Sequence, residues 1–265
     1  MKDNTYSVIE KIMESAGATD YHLHLTDPES NKGQRYTYAI TKEYQANRED
    51  KVRPPLLHAI KHYMAEELQA TMYKDMEADD GMSIAQNKAI AEGNWDKSII
   101  ASEDKDLWMV QGLNLNPRTG IITDTKYEGS FGHIELLVKD NKAKTKKIIG
   151  RGTAYFWAQM LMGDAADNIA GLPKLYHPDY LTKAGAARSC GPVVTYELLK
   201  DIKSDASALE LVKSLYKLYG ENEKIVHWNT GKEYTWTQLF TSEAILLWMR
   251  RTNDIRDALK WIKEI

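Results

Sequence analysis

Three short acidic clusters carry the chemistry this sequence could perform: Glu77-Ala78-Asp79-Asp80, Asp104-Lys105-Asp106 and Gly163-Asp164-Ala165-Ala166-Asp167. Between them they hold seven carboxylates, each cluster falling where a strand or loop meets an expected helix. Carboxylates at close quarters repel one another, so their ionised forms need a compensating cation. Hard oxygen donors of this kind suit Mg²⁺ or Mn²⁺ rather than zinc. Residues three apart share a helix face. Glu77 and Asp80 are therefore expected on one face with Asp79 at its edge, and Asp164 and Asp167 on a face of another helix. Asp104 and Asp106 are expected to alternate on an extended segment just after Ile99-Ile100-Ala101, both pointing to one side. Ligands of open α/β sheets gather at such strand ends. The bland alternative is that each acid singly caps a helix start and complements its dipole. Three clusters flanked by apolar residues exceed what capping alone requires.

The elements that must position these acids follow from periodicity. Thr5 to Glu14 reads as an amphipathic helix with Val8, Ile9, Ile12 and Met13 on one side. Tyr21 to Thr26 alternates as a strand, with Asp27 after it; His22 and His24 share a face there without a third zinc ligand. Tyr36 to Ile40 reads as a second extended piece. Lys42 to Arg53 is polar and basic, with Lys42, Arg48, Lys51, Arg53 and Tyr44; it is either a solvated loop or a strand-gripping segment. Pro54-Pro55 opens a helix to about Ala70. Glu77 to Glu92 is a helix stopped by Gly93, and Ile99 to Ala101 a short buried strand. Gly132 to Val138 and Lys146 to Ile149 pair through a turn at Asp140-Asn141, crowded by Lys139, Lys142, Lys144, Lys146 and Lys147. Ala154 to Met162 is a buried helix. Lys174 to Arg188 is irregular, and Val193 to Lys200 is helical. The remainder is helical: Ala206 to Tyr219, Thr235 to about Leu239, and Ser242 to Ile265 with a break near Asn253. Trp228, Trp236, Trp248 and Trp261 are expected to fill its core.

Composition sets bounds. With 265 residues, 43% hydrophobic and 28% charged, the chain fits an ordinary globular protein of one large or two small domains. A single cysteine, Cys190, excludes an intrachain disulfide framework and fits a reducing compartment. No apolar run reaches the length of a membrane span. The opening Met1 to Asn4 leads into a mixed segment without the apolar core of a secretory signal, so a cytoplasmic location is expected. The net charge of −3 does not mark the whole chain as a polyanion binder, and local fields matter more than the sum.

Glu77-Ala78-Asp79-Asp80, Ser102-Glu103-Asp104-Lys105-Asp106-Leu107 and Gly163-Asp164-Ala165-Ala166-Asp167-Asn168-Ile169-Ala170-Gly171-Leu172-Pro173 together resemble the 5′-nuclease (flap endonuclease) superfamily. The likeness is closest to phage 5′→3′ exonucleases and the 5′-nuclease domain of bacterial DNA polymerase I. Order and spacing agree from roughly Tyr36 to Lys200. Glu43-Tyr44-Gln45-Ala46-Asn47-Arg48 is similar to the family's Tyr-Lys-x-Asn-Arg segment, which enters a helical arch.

That resemblance implies an α/β, PIN-like, mostly parallel sheet over residues 1–165. A helical DNA-binding lobe with a helix–hairpin–helix-type motif over 166–265 would follow. It implies Glu77, Asp79 and Asp80 at a first Mg²⁺ (or Mn²⁺), and Asp104, Asp106, Asp164 and Asp167 at a second. Asp27 matches the family's second aspartate weakly. Gly171-Leu172-Pro173 and Gly191-Pro192 resemble the halves of the turn that holds a duplex phosphate, often with K⁺. The insertion from Lys174 to Cys190 separates them and adds Lys174 as a phosphate contact. Tyr44 and Arg48 would contact DNA. Gln45 stands where the family has its arch lysine, leaving Lys42 or Arg48 to take the scissile-phosphate role. The family's opening apolar strand with a metal-binding aspartate is not found between Met1 and Glu14, so a central strand and one metal-binding carboxylate are expected to be missing; an in-frame strand of that kind upstream of Met1 would mark a fragment or a wrongly placed start.

The function so implied is a metal-dependent 5′→3′ exonuclease or flap endonuclease, active as a monomer on DNA with 5′ ends or flaps, or on RNA–DNA hybrids, in a host cytoplasm if phage-encoded. The alternative is a catalytically impaired or truncated DNA-binding member of the same fold. An aspartate-phosphorylating phosphatase does not fit, because no strand ends in Asp-x-Asp-x-Thr.

Overall fold

The structure, a computed structural model, describes residues 2–48, 54–125 and 131–265; Lys51 and Arg53 of the basic segment lie outside them. It is a mixed α/β protein of two compact units, and the chain passes between them more than once. Residues 1–34, 50–127 and 249–253 form one unit; 35–49, 128–248 and 254–265 form the other.

The first unit begins with helix α1 (Lys2–Ala16), whose Ile9 is buried and whose Ile12 and Met13 are half-buried. Val8, expected beside them, is exposed. Strand β1 is shorter than its alternation suggested, His24–Thr26, and Asp27 follows it. His22 Nε2 meets Thr71 Oγ1 at 2.8 Å and His24 Nδ1 meets Tyr73 Oη at 2.9 Å, so the His-x-His pair is settled by neighbours. Burial and His22 lower the His24 pKa to about 4.

The chain lends the helical turn α2 (Arg35–Tyr38) to the second unit and resumes here with α3 (Leu57–Glu66). Pro54 and Pro55 precede α3 in a turn, and it stops before Ala70, where Gln69 takes φ +55°. Strand β2 (Thr71–Tyr73) pairs parallel to β1, His24 opposite Thr71. Helix α4 (Ala78–Ala91) starts at Glu77 and ends at Glu92-Gly93, as the spacing predicted, with Gly93 at φ +79°. Strand β3 (Ile99–Ala101) is parallel to β4 (Leu113–Leu115), which is antiparallel to β5 (Ile122–Asp124). Thus β1 and β3 each end a separate small sheet. A cavity of about 370 Å³ lies between them, lined by Leu23 and His24 of one edge, Ile99 to Ala101 of the other, and Ile9, Ile12 and Met13 of α1.

In the second unit the expected strand at Tyr36 to Ile40 is instead α2. Ala39 N–H closes a helical turn on Arg35 O, and Tyr38 O accepts from Ser242 Oγ at 2.7 Å. The β-forming side chains yield because the backbone finds its partners in a turn. Strands β6 (His133–Val138) and β7 (Lys146–Arg151) make the expected hairpin, Val138 opposite Lys146. Its root is tight: a Cβ on Gly132 would stand 2.1 Å from Arg151 O.

Helix α5 (Thr153–Met162) is buried over nine of its ten residues. Helices α6 (Pro192–Leu199) and α7 (Asp205–Asn222) follow, then the antiparallel pair β8 (Ile225–Val226) and β9 (Glu233–Tyr234). Helix α8 (Trp236–Leu247) runs through the break expected before Ser242, and α9 (Asp257–Glu264) closes the chain. Thr235 starts α8 with a capping box to Gln238, and Ser242 Oγ turns outward to Tyr38 O.

The aromatic core differs from the expected four tryptophans. Trp248 stacks on Trp261 at 4.3 Å, and both pack with Phe156; Trp157 packs with Phe156 and Trp261. Indole N–H groups are paid for by carboxylates, Trp157 to Asp205 and Trp248 to Asp257. Trp228 is 42% exposed and Trp236 half-buried, because both flank the solvent-facing β8–β9 turn. No helix among the described residues is long and apolar enough to cross a membrane.

Candidate metal centre

The first unit gathers five acids around the start of α4. Glu77 is its N-cap, in extended conformation, and donates its N–H to Asp80 Oδ2 at 3.3 Å. Glu77 and Asp80 therefore do not share a helical face, since Glu77 precedes the helix; a capping box joins them instead. Asp80 is fully buried, with Arg250 Nε 3.9 Å from Oδ2 and Arg250 N–H donating to Oδ1 at 3.3 Å.

Asp79 is the group on which the charges act. Burial, then Asp104, Glu77, Asp80 and Asp106, push its pKa up to about 8. Asp104 and Asp106 reach this neighbourhood without the expected extended alternation. Asp104 caps a 3₁₀ turn over Lys105–Met109, accepting from Asp106 N–H at 2.9 Å. The Asx turn replaces the strand because Asp104 satisfies the turn's own donor. Lys105 Nζ lies 2.9 Å from Asp106 Oδ1. Arg250 and Lys105 offset two of the acids, yet the balance on Asp79 remains repulsive. Asp27 follows β1 and accepts from Glu29 N–H at 2.8 Å; it is not among the acids that raise Asp79.

In the second unit, Asp164 and Asp167 do not lie on a helix. Gly163 ends α5 at φ +71°, and Asp164 pairs with Ile169 across a tight turn. Asp164, 5% exposed, accepts from Ala166 N–H at 2.9 Å. The segment from Glu43 to Arg48 is laced to this turn. Gln45 N–H donates to Asp167 O and its Nε2 to Asp167 Oδ1, both at 2.9 Å. Asn47 donates to Ala165 O at 2.8 Å, and Arg48 donates Nε–H to Ala166 O and pairs with the Asp167 carboxylate. Lys42 is exposed.

Several expected DNA contacts are committed elsewhere. Tyr44 is 2% exposed, edge-on to Tyr36 at 5.4 Å, so its ring is not presented for stacking; Tyr36, 45% exposed, is the outward ring that the spacing argument missed. Gly171 N–H donates to the buried carboxyl of Glu243 at 2.9 Å rather than standing open. Lys174 pairs with Glu223 at 2.5 Å, which also accepts from Tyr176. Gly191 caps α6 with open space where a side chain would sit. The insertion closes on itself, Leu175 N–H donating to Arg188 O at 2.8 Å.

Glu243 is another buried acid, outside the three acidic clusters of the sequence. It is 1% exposed, burial raises its pKa to about 8, and Gly171 N–H, Thr41 and Lys42 pull the other way. Its place in the apolar run of α8 is the signal that could have revealed it. Comparison of the chain with protein-family models and with curated proteins finds no match.

Proposed function

We propose that this protein is a divalent-metal-dependent 5′-nuclease that hydrolyses DNA phosphodiester bonds at 5′ ends or flaps. The observation that carries the reading is Asp79, a buried carboxyl with four other acids around it; burial first, and their repulsion second, push its pKa up to about 8. A cation relieves that repulsion, and an all-oxygen donor set suits Mg²⁺ or Mn²⁺. Parallel pairing of β1 with β2 and β3 with β4 supports a PIN-like sheet. The sequence resemblance separately reads Asp164 and Asp167 as metal-binding residues.

Glu77, Asp79, Asp104 and Asp106 are the groups that would hold the metal, with Asp80 fixing the start of α4. A divalent cation held there would supply Lewis acidity to a water and offset charge on the leaving oxygen. The chain's own part is to keep the acids aligned through the capping box and the Asx turn, and to exclude bulk water from Asp79. Incubation with a 5′-flap duplex and Mn²⁺ or Mg²⁺ is expected to release short 5′ products. No cleavage at high enzyme concentration would end this reading.

A second reading, a DNA-binding member with impaired chemistry, is favoured by Gln45. It is buried where the resemblance expects an arch lysine, and it donates to Asp167, which Arg48 also engages. Tight flap binding in Ca²⁺ with no cleavage in Mn²⁺ would select it.

A further inference from the structure

The β6–β7 hairpin carries a feature that the nuclease reading does not use. Between Lys139 and Lys147 its tip holds five lysines against a single carboxylate, Asp140. Lys144 takes that carboxylate at 2.8 Å. Lys139, Lys142, Lys146 and Lys147 are exposed and have no acidic partner among the described residues. The strand register puts Lys146 beside Val138 and Lys147 beside Leu137, on opposite faces. These apolar neighbours are themselves open to solvent, Leu137 by 39% and Val138 by 55%. Each face of the hairpin end therefore offers a cation next to bare hydrocarbon.

The root is as fixed as the tip is open. Gly132 and Gly150 bring the two strands into close approach, and Ile148 is buried. After Gly152 the chain enters buried α5, which ends at the turn bearing Asp164 and Asp167. A six-residue strand spans about 20 Å and a ten-residue helix about 15 Å, so about 35 Å of regular structure links the tip to that turn along the chain. Within the second unit the basic tip is thus tethered to those acids by regular elements.

A centre built of carboxylates repels DNA phosphates, and the chain as a whole is acidic, with a net charge of −3. Affinity for a polyanion must then come from cations placed away from the centre. We propose that the tip of the β6–β7 hairpin grips the phosphate backbone of duplex DNA, through Lys139, Lys142, Lys146 and Lys147. The choice of DNA over other polyanions rests on the nuclease reading above.

The experiment is fluorescence anisotropy of a labelled 5′-flap duplex in Ca²⁺ across a KCl series. It compares the full chain with K139S/K142S/K146S/K147S and with the same four positions changed to Arg. Each phosphate contact contributes about 0.9 to the slope of log affinity against log salt. The serine variant, losing four contacts, is expected to lose about 3.6 from that slope and to bind at least tenfold more weakly at low salt. The arginine variant, which keeps the charge, should match the wild type. Wild-type slope and affinity in the serine variant would overturn the proposal, even if the protein cleaves flaps. Wild-type binding with the expected loss in the serine variant, but no cleavage in Mn²⁺, would support the hairpin and sink the nuclease reading. A wild-type chain that does not bind the duplex sinks both, whereas binding to anionic vesicles but not to duplex overturns the hairpin assignment.

Discussion

At the scale of single residues, two carboxyls are held against ionisation by their surroundings, and each has a consequence with a definite sign. Asp79 must lose its proton before it can hold a cation. With its pKa pushed up to about 8, Mn²⁺ affinity should rise with pH through neutrality and level off above about 8. Binding near pH 7 should release close to one proton, measurable by calorimetry in two buffers of different ionisation heat; Asp79→Asn should abolish that release together with cleavage. The folded pKa exceeds the unfolded one, so without metal the contribution of Asp79 to stability is fully present below about pH 4 and is lost as pH rises towards 8. In chelator at pH 8, Asp79→Asn should therefore be more stable than wild type, by on the order of 2 kcal/mol.

Glu243 follows the same sign, losing stability from about pH 4.5 up to about 8. Glu243→Gln should flatten that decline in thermal melts. Glu243→Leu leaves Gly171 N–H without its acceptor and should cost about 1–3 kcal/mol at any pH. Arg250 supplies the counter-charge of buried Asp80, and Arg250→Met should destabilise by about 3 kcal/mol. The local placements of Glu77 with Asp79, and of Asp104 with Asp106, were legible because each spacing falls within one turn of the chain. Tyr44, Gly171 and Lys174 were not, because what occupies them comes from Tyr36, Glu243 and Glu223, distant in sequence.

At the scale of elements, the sequence was readable where the signal sits within one turn of the chain. Glu77 and Gly93 bound α4 at the expected places, and the lysine-rich turn joins β6 to β7 as expected. It was misread where a remote group decides. Tyr36 to Ile40 has strand-forming residues but makes a helical turn that Ser242 helps satisfy. Asp164 to Asp167 has helical spacing but follows Gly163, whose positive φ ends α5. That turn depends on two glycines packed face to face: a Cβ on Gly171, itself at φ +64°, would stand 2.3 Å from Gly163 N. Gly171→Ala should cost more than about 1 kcal/mol and increase hydrogen exchange across residues 163–171.

At the scale of the whole molecule, ligand and fold are coupled by mass action. Mn²⁺ at a hundredfold its dissociation constant should add about 2.7 kcal/mol, raising the melting temperature and protecting amides from Glu77 to Met109. The first unit also contains a weak point. Its β1 and β3 edges face a void, and α1, with Ile9 as its buried residue, lines one side of it. Once α1 peels back, bare main chain is offered to whatever extended peptide drifts past, including the same stretch of another molecule. Storage at high concentration should thus end in clouding, and Ile9→Ala should bring the turbidity on sooner.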